Sequence, residues 1–91
     1  MAIGVIFDVP GGTQEEYDRV FDRLGQDLPP SLWVHAAGPV DGGWVIVEVW
    51  ESEEAQASFQ QQVGPAFREA GFPPTTARFF RIHNLVRPPG K

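Results

Sequence analysis

His35 and Glu48 are the pair in this chain best equipped to move a proton. They lie in Leu32 to Glu51, LWVHAAGPVDGGWVIVEVWE, two alternating stretches around Asp41-Gly42. Alternation marks pleated strands with two unlike faces. Asp-Gly is a hairpin signal, because a two-residue type I′ turn needs positive φ at both central positions. With those residues at the turn, His35 faces Glu48, Trp33 faces Trp50, Ala37 faces Ile46 and Pro39 faces Trp44, all on one side. An imidazole oriented by a carboxylate is a workable general base near neutral pH. The same pair can also do no more than satisfy itself at a buried interface.

Other candidates surround that pair. Trp33 and Trp50 can form flat walls for an aromatic substrate, or pack at a dimer interface. Arg81 can stabilise an enolate or phenolate as it forms, or serve as an ion-pair partner. Phe79 and His83 share a strand face with Arg81 and join the substrate-binding candidates. Two histidines and a glutamate make a possible metal set, but their spacing signals none, so neither a metal nor another cofactor is expected. Tyr17 reads as core more readily than as a proton donor. Gly11-Gly12 lacks the spacing and the lysine of a phosphate-cradling loop.

The elements that must position these groups follow from pattern. Met1 to Val9 is β-rich and nearly continuous in apolar residues, as in a central strand. Thr13 and Glu16 make a capping box, and Tyr17, Val20, Phe21 and Leu24 form one helical stripe that Gly25 should end. Asp27-Leu28-Pro29-Pro30 is a rigid connector. After the hairpin, Ser52 caps a second helix, with Ala55, Phe59 and Val63 on one side. Gly64-Pro65 should interrupt or kink it, and Gly71 should stop it. A last strand is predicted from about Thr76 to Val86, then a frayed tail over 87–91.

The order β-α-β-β-α-β makes this an α+β, ferredoxin-like domain over residues 1–86, a four-stranded antiparallel sheet with both helices on one face. The helix-packed face is expected to carry Leu32, Val34, Ala36, Val45, Val47 and Val49, joined by Phe80 and Ile82. The other face would hold Trp33, Trp44, Trp50, Ile46, Phe79, Arg81 and His83. That is too much apolar surface for water. A second copy is the expected cover, sheet against sheet, in a dimeric α/β barrel.

Composition removes several function classes. At 91 residues the chain is one domain. With 7 basic against 12 acidic residues the net charge is −5, which argues against nucleic acid or an anionic membrane as partner. No cysteine means no disulfide, thiol nucleophile or thiolate metal site, and fits a cytoplasmic protein. No apolar run approaches a membrane span.

A family resemblance rests on particular segments. The third strand runs into Trp50-Glu51-Ser52-Glu53-Glu54-Ala55, Phe59 follows on the helix, and the chain closes with His83-Asn84-Leu85-Val86. In these, and in element order over residues 1–86, the chain resembles the small dimeric α/β-barrel proteins of the antibiotic-biosynthesis-monooxygenase type. The resemblance implies a homodimer with a pocket inside each protomer. It also implies chemistry drawn from cofactor-independent monooxygenases of aromatic polyketides, haem-degrading enzymes, isomerases and cyclases. Many members carry a histidine on the second helix, where this chain reads Ser58-Phe59-Gln60-Gln61-Gln62, and that departure disfavours haem degradation.

Two functions follow. One is a cofactor-independent monooxygenase-like oxidoreductase, or an isomerase or cyclase, acting on a small aromatic or enolisable substrate. His35 would abstract the proton, Glu48 orient it, Arg81 hold the anion, and Trp33, Trp50, Phe79 and His83 bind the substrate. The other is a non-catalytic dimeric module for small-ligand binding or interaction. A void of about 300 Å³ or more reaching the His35/Glu48 pair would favour the enzyme.

Overall fold

The computed structural model describes residues 1–24 and 28–89. The expectations for Gly25, Asp27 and the last two tail residues lie outside them. Six elements follow in the predicted order: β1 (Ile3–Pro10), α1 (Gln14–Leu24), β2 (Leu32–Val40), β3 (Gly43–Trp50), α2 (Glu53–Glu69) and β4 (Thr76–Arg81). They form one antiparallel sheet ordered β2-β3-β1-β4, with β1 and β3 central. This is the ferredoxin-like α+β arrangement.

Local signals explain the boundaries. The Thr13 hydroxyl accepts from the Glu16 N–H at 3.2 Å while a Glu16 oxygen accepts from the Thr13 N–H at 3.1 Å, closing the capping box that starts α1. Ser52 Oγ accepts from the Ala55 N–H at 3.1 Å and caps α2. That helix ends in a Schellman motif: Phe72 N–H reaches the Phe67 carbonyl, Gly71 N–H reaches that of Arg68, and Gly71 takes φ of 75°. The accompanying apolar contact is the Phe67–Phe72 ring pair, 5.2 Å between centroids.

Four expectations are corrected. The hairpin loop is two residues long, but only Gly42 has positive φ (78°), so the turn is not type I′. Its carbonyl accepts the Gly11 N–H at 2.8 Å, which docks this turn onto the one between β1 and α1. Second, Gly64-Pro65 does not interrupt α2, which runs on to Glu69. The carbonyl that Pro65 cannot serve belongs to Gln61, and both residues are exposed, so water can satisfy it. Third, β4 ends at Arg81 rather than Val86, with one further backbone bond from Ile82 to Ala2.

The fourth correction concerns which face is covered. Val5, Val9, Trp44, Ile46 and Trp50 are buried, with Phe7, Tyr17, Ala55, Phe59 and Phe72 packed against them, so the chain's own helices cover the tryptophan side. The outward side carries Ile6, Val34, Ala36, Val45, Val47, Val49 and Phe80. Phe80 lies over Gly4, where even a Cβ would meet its ring, so it is not under the helices as expected. Phe79 and Arg81 do share the Trp/His/Glu side through pairing with Val5 and Ile3. The physical reason for the inversion is size and satisfaction. Bulky rings fill the space between sheet and helices, and the His35/Glu48 pair can be buried there because its polar atoms find partners. The outward face keeps the flatter aliphatic residues.

Candidate active site

The hairpin register places His35 beside Glu48, as alternation predicts. Pairing holds from Val34↔Val49 to Val40↔Gly43. A β-bulge between Leu32 and Val34 breaks it, so Leu32, not Trp33, opposes Trp50. Trp33 is thereby put out of the pairing: its ring is exposed and carries the Arg87 guanidinium at 5.7 Å. The expected sandwich of Trp33 and Trp50 across one ligand is not formed.

The imidazole is held at both nitrogens. Glu48 can only accept, so the bond between His35 Nδ1 and Glu48 Oε2, 2.8 Å, requires Nδ1 to carry the proton. Nε2 is then the acceptor for the Tyr17 hydroxyl at 2.5 Å. The second Glu48 oxygen accepts from Trp50 Nε1–H at 2.8 Å. Trp50 is fully buried and packs on Phe59 of α2, 5.2 Å between centroids, which fixes the carboxylate in turn. Tyr17, His35, Glu48 and Trp50 thus form one chain of hydrogen bonds drawn from α1, β2 and β3. Burial pushes the Tyr17 hydroxyl up to about 12, with the negative charges of Glu48 and then Asp18 adding to the shift. At neutral pH it is a proton donor, not a phenolate.

Tyr17 is the member that pattern reading passed over. Its place on the α1 stripe was visible, and a stripe residue is ordinarily core. The ring is also packed, 4.7 Å from Phe21 and 5.2 Å from Trp44. Only the hydroxyl, which the packing aims at Nε2, sets it apart.

An apolar cavity of about 360 Å³ reaches this network. His35 and Glu48 form its polar wall. Phe7, Phe21, Ile46, Phe59, Val63, Phe67 and Phe72 supply most of the rest, with Arg68 and Gln60 as further polar groups. The volume exceeds the lower bound for small-molecule sites. Arg81, Phe79, Trp33, Trp50 and His83 do not line it. Arg81 and Phe79 stand exposed on the β4 edge, His83 lies exposed beyond that strand, and Trp50 sits behind Glu48. The structure therefore joins His35, Glu48 and Trp50 and leaves the other four candidates apart.

Neither a protein-family model nor a curated protein sequence matches the chain. Two solved structures match it in shape. A point mutant of SnoaB, a cofactor-independent oxygenase from Streptomyces nogalater, superposes with a TM-score of 0.60 at 19% identity, over 93% of this chain and 95% of that one. A proposed antibiotic biosynthesis monooxygenase from Deinococcus radiodurans gives 0.62 at 12% identity, over 99% and 100%. The chain therefore shares its fold with these two proteins, one a cofactor-independent oxygenase and the other a proposed antibiotic biosynthesis monooxygenase.

Proposed function

We propose that the protein is a cofactor-independent oxygenase-like enzyme acting on a small aromatic, enolisable substrate. The carrying observation is that a cavity of about 360 Å³, walled mainly by aromatic and aliphatic side chains, opens onto the His35–Glu48 pair. A flat ketone with an acidic C–H fits such a wall. His35 Nε2 accepts that proton, and Glu48 stabilises the imidazolium through Nδ1–H. Nε2 has a single lone pair, so the Tyr17 O–H must first leave it. Turned from Nε2 toward the cavity, which Tyr17 itself does not line, the hydroxyl donates to the oxygen on which enolate charge develops. Its raised pKa keeps that proton in place. This assigns to Tyr17 the anion-holding role that sequence reasoning gave Arg81.

The enolate then supplies electrons to dioxygen. For anthrone as substrate the methylene carbon becomes a carbonyl: anthrone and O₂ give anthraquinone and water, one oxygen atom going to each product. If oxygen is not consumed, the same carbanion reprotonates elsewhere and the outcome is isomerisation or cyclisation. The oxygenase is favoured because one structure of the same fold is described as a cofactor-independent oxygenase.

We further propose that a second copy covers the outward face. Val34 (37% exposed) and Phe80 (49%) there sit beside Ile6, Val45 and Val47, and both helices lie on the other side. Sheet-to-sheet packing of two such faces makes the expected dimeric barrel.

The test is anthraquinone formation from anthrone in air, followed by absorbance and oxygen uptake. The wild-type protein should accelerate it, and His35→Ala should lose that acceleration by about 10²-fold or more, the usual size of a general-base contribution. A wild-type rate no faster than buffer would leave the non-catalytic, ligand-binding module as the better reading, and equal acceleration by both proteins would remove His35 as the base.

A further inference from the structure

We infer that Arg68 is a specificity-determining residue that selects aromatic ligands bearing a carboxylate. The inference rests on reading the cavity as a ligand site and adds the class of ligand. Among the described residues, two groups with full charge line the cavity, Glu48 and Arg68. Both oxygens of Glu48 are engaged, by His35 and by Trp50. Arg68 makes no ion pair among the described residues, whereas Arg19, Arg23 and Arg78 each hold a carboxylate.

Its placement is specific. The side chain folds back along α2, so that its guanidinium comes within 3.5 Å of the point a Gly64 Cβ would occupy. Gly64 lines the same cavity, and its missing side chain leaves the guanidinium that strip of the wall. The Schellman turn at Gly71 holds Phe67 and Phe72 beside it as a ring pair. The cavity thus combines a largely buried polar pair, His35 and Glu48, with phenylalanine walls and an exposed cation. A planar molecule carrying both an acidic proton and an anion matches that set of groups. A carboxylate fits better than a phosphate. One planar guanidinium offers the two parallel donors a carboxylate accepts. A dianion would face the negative charge of Glu48 with a single cation to offset it.

The experiment is calorimetric titration of the full-length protein with naphthalene-2-carboxylate and its neutral twin, naphthalene-2-carboxamide. Neither has an enolisable C–H, so binding is read without turnover. The wild-type protein should bind the carboxylate about fivefold more tightly than the amide, the upper end for an ion pair at an exposed site. Arg68→Gln should erase the preference, with an unchanged far-ultraviolet spectrum showing that the protein is folded. His35→Ala should keep it. A wild-type protein without the preference, a preference that survives Arg68→Gln, one that disappears in His35→Ala, or no binding of either compound at millimolar concentration would each overturn the assignment. If His35→Ala still converts anthrone while the Arg68-dependent preference holds, the proton-abstraction reading fails and this one stands.

Discussion

His35 makes two hydrogen bonds, one to a carboxylate that can only accept and one to a hydroxyl that burial keeps protonated. The first sets the tautomer and the second sits where a substrate proton must arrive. Tyr17 is the chain's single tyrosine, so its ionisation can be followed alone by phenolate absorbance. The native protein should titrate near pH 12 rather than near 10. Because the folded-state pKa is the higher one, the unfolded chain gives up this proton first. The contribution of Tyr17 to stability is whole below pH 10 and is lost as the pH rises from 10 to 12. Tyr17→Phe should remove that part of the alkaline loss. In the proposed reaction it should also slow turnover by about 10²-fold, as removal of an oxyanion donor does. An unchanged rate would mean that Tyr17 only caps the imidazole. The His35/Glu48 pairing was legible because strand alternation and one turn signal determine it. Tyr17 was not, because which residue of a helix stripe meets which strand residue depends on how the helix lies across the sheet.

Among the elements, α2 carries the most of the cavity wall, from Phe59 to Arg68. Its caps were readable at Ser52 and Gly71, yet its course was not. A Gly-Pro pair ordinarily breaks a helix, and here Gln61, whose carbonyl is left over, is an exposed residue that water can reach. Had the helix stopped at Val63, Phe67 and Arg68 would not line the cavity. The bulge at Trp33 was equally hidden, since no glycine or proline marks it. The Gly71 turn gives a direct test of this end of the helix. Gly71→Ala forces an L-residue into φ near 75° and should cost about 1 kcal/mol, read as a lower urea midpoint with an unchanged slope. An unaltered midpoint would show that the Schellman turn contributes nothing to stability.

At the scale of the whole molecule, element order and strand order were readable, whereas the side that the helices cover was not. Both faces of the hairpin are apolar, so hydrophobicity alone could not choose between them. The deciding facts were tertiary: Tyr17 and Trp50 satisfy the polar pair, and ring-on-ring packing fills the gap beneath the helices. In the proposed dimer a twin molecule therefore packs on the aliphatic side. Sedimentation should give a species of about twice the 10.1 kDa chain mass. Val47→Glu, at the middle of that face and away from the cavity, should return it to a monomer by burying an unpaired charge at the contact. A monomeric wild-type protein at micromolar concentration would remove the barrel and leave a folded protomer whose site is built from its own helices.

In the proposed reaction His35 takes a proton from carbon before oxygen takes part. Anaerobic exchange of the anthrone methylene hydrogens for deuterium, followed by NMR, isolates that step from any reaction with oxygen. Wild-type protein should speed the exchange well above buffer and His35→Ala should not, with both proteins equally folded. Exchange at the same rate in both would contradict the account.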